Sequence, residues 1–244
     1  MGKLEQAADV SRKILKPQYC AAVIVAAGSA SRMGGVDKIM LHLEGEPLFL
    51  RTARAFEDCG AIREIVLVTR PELVSDMERI ARDGGITKLT AVVPGGASRQ
   101  ESVELGLAAV SKKGKLVAIQ DGARPFVTPK LIDRVVRAAQ VYGAAAPAVP
   151  VKDTIKTAQA GLVTGTPDRR TLFAVQTPQV FDYDLLRGAL TKAKADKAEV
   201  TDDCSAVERM GMSVKLVEGD EMNFKITTPW DLTVARAYLT EENK

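Results

Sequence analysis

A loop of small residues at positions 26–35 carries the side chains best suited to chemistry in this chain. It follows an apolar run and contains Arg32, and Lys38 stands six positions later. Small residues let the backbone approach a ligand closely, so that successive N–H groups can point at phosphate oxygens. The two cations can neutralise charge that the amides leave. The pattern predicts a nucleoside triphosphate site at the edge of a sheet.

The loop differs from the two commonest phosphate-binding motifs. A P-loop needs Gly-Lys before Ser or Thr, and a dinucleotide-binding loop needs a second Gly where Ala30 stands. The alternative for the loop alone is a plain strand-to-helix turn with an incidental surface arginine. The other polar segments bear on this choice.

Asp121 directly follows the apolar run 116–120. A carboxylate at the end of a strand, in the same crevice as a phosphate loop, is well placed to hold Mg²⁺ that bridges phosphate oxygens. By itself, this residue is better explained as a helix cap or turn aspartate. Arg124 can pair with Asp121 or hold phosphate, and we expect the pair.

The segment 95–102 opens a predicted helix and contains paired glycines. The glycines would allow close approach to a flat base, and Ser102 could donate to a base edge. The alternative is a simple turn with a capping box formed by Ser98 and Glu101.

Asn223 and Lys225 stand two positions apart in a stretch predicted to be a strand. Side chains two apart share one strand face, so both could face a metal–phosphate complex. The alternative is an exposed edge strand. His42 is the only histidine and has no partner pattern for nucleophilic catalysis, so we expect a packing or surface residue and no covalent intermediate.

Short apolar runs alternate with longer helical patterns along the chain. Strands are predicted at 20–26, 65–69, 89–93 and 116–120, and helices at 47–59, 71–83, 98–110 and 128–141. Such alternation implies parallel pairing, right-handed crossovers and helices on both faces of the sheet. Ligands bind beyond the carboxyl ends of such strands, which is where the loop at 26–35 and Asp121 lie.

The pattern changes between residues 144 and 173, where prolines and glycines interrupt extended segments. This predicts an antiparallel excursion or arm, which either packs on a partner subunit or forms a surface hairpin. Beyond it, helices are predicted at 183–195, 202–210 and 230–239, and a strand at 213–217.

The composition is ordinary for a globular protein, with 244 residues, 46% hydrophobic and 27% charged. A net charge of +3 without a basic block argues against nucleic acid. Cys20, Cys59 and Cys204 are too scattered for a disulfide framework or a zinc site. We expect a cytoplasmic protein without a signal peptide or membrane span. Residues 1–18 are predicted to be an N-terminal extension, and residues 19–240 one domain.

In this order, the segments resemble the 2-C-methyl-D-erythritol 4-phosphate cytidylyltransferases. The resemblance covers nearly the whole chain from Tyr19 onward. It rests on seven motifs, at 26–33 with Lys38, 95–102, 121–125, 151–156, 176–179, 201–203 and 223–227.

The resemblance implies a single-domain, Rossmann-like three-layer α/β sandwich with a mostly parallel twisted sheet. It implies a protruding β-arm at about residues 151–173 that makes a homodimer. The implied reaction transfers CMP from CTP to 2-C-methyl-D-erythritol 4-phosphate and releases pyrophosphate, in non-mevalonate isoprenoid precursor biosynthesis. Mg²⁺ or another divalent cation would be the cofactor.

The resemblance also implies roles for individual residues. Arg32 and Lys38 would be catalytic, stabilising charge at the reacting phosphate, and Asp121 would be the metal-site carboxylate. The nucleotide would be bound by Ala26, Ala27, Gly28, Gly96, Ala97 and Ser102. The polyol phosphate would be bound by Thr201 and Lys225, and by Thr154 and Arg169 from the arm of a second subunit.

Two positions depart from the family pattern. Asp37 precedes Lys38 where a proline is usual, and Ala97 stands where some relatives carry an acidic residue, which leaves a base contact there to the backbone. Three alternatives remain at this point. They are a ribitol 5-phosphate cytidylyltransferase, a uridylyl- or guanylyltransferase for sugar phosphates, and a non-catalytic nucleotide-binding protein.

Overall fold

A computed structural model describes residues 19–28, 39–111 and 114–242. The predicted catalytic residues Arg32 and Lys38, and the predicted extension at 1–18, lie outside the described residues. The described part contains a mixed sheet and helices on both of its faces.

Eight strands form the central sheet, and four others form two small hairpins in the described part. The strands are β1 (Cys20–Val25), β2 (His42–Leu43), β3 (Glu46–Pro47), β4 (Ile62–Thr69), β5 (Leu89–Pro94), β6 (Leu116–Asp121), β7 (Ala144–Pro150), β8 (Thr157–Gln159), β9 (Leu162–Gly165), β10 (Phe173–Val175), β11 (Gln179–Asp182) and β12 (Lys215–Glu218). The central order is β10-β7-β11-β6-β1-β4-β5, with β12 paired to β7. The hairpins are β2–β3 and β8–β9.

The block β6-β1-β4-β5 is parallel throughout, as the alternation of strands and helices predicts. β11 then enters antiparallel between β6 and β7, and β10 pairs antiparallel with β7. The predicted antiparallel excursion is therefore confirmed. β11 was missed, because its four residues follow Pro178 and are too few to show an alternating pattern.

The described helices are α1 (Leu48–Glu57), α2 (Val74–Asp83), α3 (Arg99–Ala109), α4 (Pro129–Tyr142), α5 (Tyr183–Ala195), α6 (Asp203–Glu208) and α7 (Pro229–Glu242). Each corresponds to a predicted helix, with ends displaced by up to three residues. The predicted helix at 71–83 begins as a 3₁₀ turn at Pro71–Leu73, so its α-helical part is shorter. None of the described helices is long and apolar enough to cross a bilayer.

β1 shows how the layers arise. Its buried side chains alternate, so that Cys20, Ala22 and Ile24 pack towards α1, α2 and α4, whereas Ala21 and Val23 pack towards α3, α5 and α6. Both faces of the central strand are therefore covered by helices. The three-layer α/β sandwich expected from the resemblance is confirmed.

A third, smaller apolar cluster lies behind the loop that follows β6. Ala235 and Leu239 of α7 pack there with Phe126 and Ile226. The Phe126 ring meets Tyr238 edge to face, with centroids 5.2 Å apart. This packing supports the loop that follows Asp121 and the loop that carries Lys225.

The arm leaves the sheet after β7 and returns at β10, with the β8–β9 hairpin between them. The alternation seen at 153–157 produces a strand only from Thr157 onward. Leu162 and Val163 of the hairpin are 74% and 63% exposed. The arm therefore has little apolar core of its own.

Candidate active site

A cavity of about 450 Å³ opens beyond the carboxyl ends of β1 and β6, beside the N-terminus of α3. Eight of the predicted site residues line it: Ala26, Ala27, Gly28, Gly96, Ala97, Ser102, Asp121 and Lys225. Arg99 also lines it, although sequence reasoning gave this side chain no role. The fold thus brings together residues from four distant segments.

Small residues allow three loops to meet at this cavity. The N–H of Gly122 donates to the Val25 carbonyl at 2.9 Å, which ties the loop after β6 to the end of β1. A Cβ placed on Gly95 would lie only 2.4 Å from the Cβ of Ala27. The loops after β1 and β5 approach this closely because neither carries a larger side chain.

The turn before α3 is held by its own side chains. Ser98 caps the helix by accepting from the Glu101 N–H at 3.1 Å, but the Glu101 carboxylate accepts from Ala97 N–H at 2.8 Å. The predicted reciprocal capping box is therefore only half formed.

Ser102 lies under this turn and is 2% exposed. Its hydroxyl donates to the Ser98 carbonyl at 2.9 Å and accepts from the Gly96 N–H at 3.2 Å. The N–H groups of Gly96 and Ala97 are thus both used inside the turn. Any backbone contact from these two residues to a base falls to their carbonyl oxygens.

Asp121 is the last residue of β6, and its side chain is 11% exposed. Its Oδ2 lies 3.0 Å from Lys225 Nζ and 3.4 Å from Arg124 Nε. Its Oδ1 lies 3.7 Å from Arg99 Nε. The expected pair of Asp121 with Arg124 is confirmed, and two further cations share the carboxylate.

The pKa of Asp121 reflects two opposing effects. Burial by itself raises it, but the cations of Lys225, Arg99 and Arg124 more than offset burial and hold the pKa below its ordinary value. Asp121 is therefore ionised at neutral pH.

Arg99 is shared between two carboxylates. Its Nη2 donates to Asp203 Oδ2 at 2.7 Å, and the Asp203 side chain is 1% exposed. Burial raises the pKa of Asp203, and the Arg99 charge works against that rise. Sequence reasoning missed this contact, because residues 99 and 203 are 104 positions apart and only the motif at 201–203 drew attention to the second.

The stretch at 219–227 is a loop and not the predicted strand. Asn223 is fully buried, and its amide donates to the Thr177 carbonyl at 2.8 Å. Lys225 turns instead towards Asp121 and remains partly exposed. The prediction that both side chains share one strand face is therefore wrong, because a turn between Asp220 and Asn223 replaces the regular alternation.

The other predicted acceptor residues lie outside the cavity lining. Thr154 and Arg169 are exposed on the arm, where Arg169 Nη1 donates to the Lys152 carbonyl at 2.7 Å. Thr201 is exposed just before Asp202, the N-cap of α6. His42 is exposed on β2, as expected for a surface residue.

Asp121 suits a divalent cation that arrives with a nucleotide. No group of three or more His, Cys, Asp or Glu that could hold a metal occurs among the described residues. Mg²⁺ commonly uses one or two carboxylates and completes its shell with phosphates and water. Asp121 Oδ1 accepts no hydrogen bond from the described residues, and therefore offers one such ligand.

The family model and the similar sequences carry the same description. Residues 20–241 match the model of the family described as 2-C-methyl-D-erythritol 4-phosphate cytidylyltransferase (IspD). A protein of that name from Caldanaerobacter subterraneus subsp. tengcongensis is 47% identical over 221 residues, 89% of this chain and 97% of that protein. Another from Desulforamulus reducens is 46% identical over 225 residues, 91% of this chain and 96% of that protein.

Solved structures agree with this. A 4-diphosphocytidyl-2C-methyl-D-erythritol synthase from Anaerococcus prevotii superposes with a TM-score of 0.83, at 30% identity, over 92% of this chain and 97% of that one. The 2-C-methyl-D-erythritol 4-phosphate cytidylyltransferase of Thermus thermophilus gives 0.72 at 34% identity, over 89% and 98%. The chain belongs to the 2-C-methyl-D-erythritol 4-phosphate cytidylyltransferase family.

Proposed function

We propose that this enzyme transfers CMP from CTP to 2-C-methyl-D-erythritol 4-phosphate in non-mevalonate isoprenoid precursor biosynthesis. The products are 4-diphosphocytidyl-2-C-methyl-D-erythritol and pyrophosphate. The observation that carries the proposal is the meeting of Asp121 and Lys225 at 3.0 Å, inside the cavity that the small-residue loops enclose. A non-catalytic nucleotide-binding protein would have no need to keep this pair.

The cytidine lies between the end of β1 and the turn before α3. Ala26, Ala27 and Gly28 bring the backbone close on one side, and the turn at Gly96 and Ala97 does so on the other. The triphosphate then extends towards Arg99, Asp121 and Lys225, where the cations match its charge.

A divalent cation on Asp121 Oδ1 would neutralise charge on the triphosphate. The residues of the chain do the rest by positioning and by electrostatic stabilisation. A phosphate oxygen of the acceptor attacks the α-phosphorus, the bond to the bridging oxygen breaks, and pyrophosphate leaves. Lys225 stabilises the charge that develops, together with Arg32 and Lys38, whose roles rest on the family resemblance. No protein nucleophile takes part.

The acceptor is bound where the cavity opens, by Lys225 and Thr201. Thr154 and Arg169 join them from the arm of a second subunit in a homodimer. Two features support this arrangement: neither arm residue lines the cavity of its own chain, and the arm exposes Leu162, Val163 and Phe173. Exposed apolar surface of this kind favours burial against a partner.

A cytoplasmic location is part of the proposal. Cys20, Cys59 and Cys204 are all buried as free thiols, which suits a reducing compartment.

A pyrophosphate-release assay tests the proposal. The purified enzyme is given CTP with either 2-C-methyl-D-erythritol 4-phosphate or ribitol 5-phosphate, and then each of the other three nucleoside triphosphates with the first acceptor. We expect turnover with CTP and the methylerythritol phosphate. Turnover with ribitol 5-phosphate alone, or a preference for UTP or GTP, would contradict the proposal and support one of the alternatives.

A further inference from the structure

Asp203 does not line the cavity, but it forms an ion pair with Arg99, which does. The Arg99 guanidinium lies between two carboxylates, at 2.7 Å from Asp203 Oδ2 and 3.7 Å from Asp121 Oδ1. Its close hydrogen bond therefore goes to Asp203, and its contact with Asp121 is the longer one. Among the described residues, no ion pair or hydrogen bond joins Asp203 directly to Asp121 or to Lys225.

The backbone that carries Asp203 is held from the sheet. Gln179, at the start of β11 and 2% exposed, accepts from the N–H groups of Asp203 and Cys204, each at 3.1 Å. Its amide nitrogen donates to Asp202 Oδ2 at 2.8 Å. One buried side chain thus fixes the beginning of α6, and with it the position of the Asp203 carboxylate.

The charges around Asp121 explain why this matters. Three cations of the described residues surround one carboxylate. The shortest contact of Arg99 is to Oδ1, the oxygen that accepts no hydrogen bond from the described residues, whereas those of Arg124 and Lys225 are to Oδ2. An uncompensated guanidinium beside that oxygen would repel a metal ion, and it would compete for the oxygen itself. A buried carboxylate on the other side of Arg99 removes both effects.

We propose that Asp203 is a positioning residue that holds Arg99 back from Asp121 and neutralises its charge, which leaves Asp121 Oδ1 available to the divalent cation that accompanies CTP. The proposal rests on the proposed function. Asp203 therefore acts on the metal requirement of the enzyme through Arg99.

The first test is Asp203→Asn, which keeps the shape of the side chain and removes its charge. The Mg²⁺ concentration that gives half-maximal turnover should rise on the order of tenfold, the size of coupling seen between groups in one network. The KM for CTP at saturating Mg²⁺ should not rise. Mn²⁺ binding to the enzyme with a non-cleavable CTP analogue, followed by the EPR signal of free Mn²⁺ against a protein-free titration, should weaken by a similar factor.

Asp184→Asn is the matched control. Asp184 also lies in the first turn of a helix and pairs with an arginine, Arg187, at 3.0 Å, but it is exposed and does not line the cavity. The Mg²⁺ dependence of the Asp184→Asn variant should match that of the unaltered enzyme. A merely structural effect of removing a charged pair would appear in both variants.

A double-mutant cycle with Arg99→Gln separates positioning from structure. When Arg99 is already neutral, Asp203→Asn should change the Mg²⁺ dependence by less than about twofold. Equal changes in the two backgrounds would overturn the proposal, as would an unchanged Mg²⁺ dependence in Asp203→Asn alone.

If Asp203→Asn fails to fold, as thermal unfolding would show, Arg99→Gln alone carries the test. The proposal requires that this variant need no more Mg²⁺ than the unaltered enzyme, whatever happens to its KM for CTP. A tenfold higher requirement would contradict it. Failure of the unaltered enzyme to transfer CMP would instead contradict the proposed function.

Discussion

At the scale of single residues, the main feature of the candidate site is the set of cations around Asp121. Lys225 is the closest of its three cations among the described residues and also the most exposed, with 36% of its side chain accessible against 31% for Arg99 and 12% for Arg124. A cation that is both paired and accessible can exchange its carboxylate for phosphate when substrate arrives. Under the proposed function, Lys225 is therefore an ion-pair partner of Asp121 in the free enzyme and a phosphate ligand in the substrate complex.

Lys225→Met should lower kcat/KM by roughly ten- to a hundredfold, the equivalent of one charge-assisted contact of about 1.5–3 kcal/mol. Steady-state kinetics with CTP and the acceptor measure the change. Lys215→Met is the control. Lys215 is the first residue of β12, its ammonium lies over the Tyr142 ring, and it does not line the cavity. A loss of the same size in both variants would remove the specific role of Lys225.

Asp121→Asn should destabilise the fold by about 1–3 kcal/mol at pH 7, because the mostly buried Arg124 loses its counter-charge, whereas Lys225 is partly exposed and Arg99 keeps Asp203. The pKa of Asp121 is lowered in the folded state, so its ionic contribution is present above the unfolded value near 3.8 and disappears as pH falls through the folded value. Urea unfolding at pH 7, 5 and 4 should therefore show the difference intact, and it should shrink only under more acidic conditions. A difference that disappears already at pH 5 would contradict the lowered pKa.

At the scale of elements, the site is made where three loops converge with almost no side-chain volume between them. Gly95 abuts Ala27, and Gly122 approaches Ala26, with a Cβ–Cβ separation of 3.2 Å if a side chain were added. The strands bring these three loops to one edge of the sheet, and the small residues of the loops let their backbones come into contact.

Gly95→Ala should push the turn before α3 away from the end of β1, because its new Cβ would lie 2.4 Å from Ala27 Cβ. We expect a KM for CTP raised by about tenfold or more, with kcat less affected. Gly188→Ala is the control: it lies in α5, nothing stands within 4 Å of the added Cβ, and helix propensity should stabilise the fold by up to about 1 kcal/mol. Unchanged CTP affinity in Gly95→Ala would contradict a tightly enclosed nucleotide.

At the scale of the whole molecule, the proposed function makes a testable statement about the arm: a single chain should not make a complete site. If arms are exchanged in a homodimer, an Arg169→Ala chain still provides Lys225, and a Lys225→Ala chain still provides Arg169. A mixed dimer would then contain one complete site.

Mixing these two weakly active variants at equal concentration should restore about a quarter of the original activity, because random exchange makes half of the dimers mixed and each has one complete site. Pyrophosphate release measures the recovery, and sedimentation confirms the dimer. Each variant mixed with itself is the control. No recovery, despite exchange of subunits, would place Arg169 and Lys225 in the same chain's site.

Much of this architecture could be predicted along the chain. The parallel block, its helices and the antiparallel excursion were predicted correctly, because apolar periodicity and helix caps are local signals. Thr128, directly before Pro129, caps α4 by accepting from the Leu131 N–H. The short strand β11 was not predicted, because four residues are too few to show an alternating pattern. The loop at 219–227 was predicted as a strand, because the spacing of polar residues around Asn223 fits a strand as well as a turn.

The family, the α/β class and the loops at the carboxyl edge of the sheet can be inferred from the amino-acid sequence alone, since each depends on residue types at short spacing. Three features of the site become visible only once the chain is folded: Arg99 divides its contacts between Asp121 and Asp203, Lys225 reaches Asp121, and Asn223 turns inward. The Arg99–Asp203 and Lys225–Asp121 contacts each join residues 104 positions apart, and the contact of Asn223 with Thr177 joins residues 46 positions apart. Their geometry depends on how the sheet and its covering helices pack, and no local pattern records it.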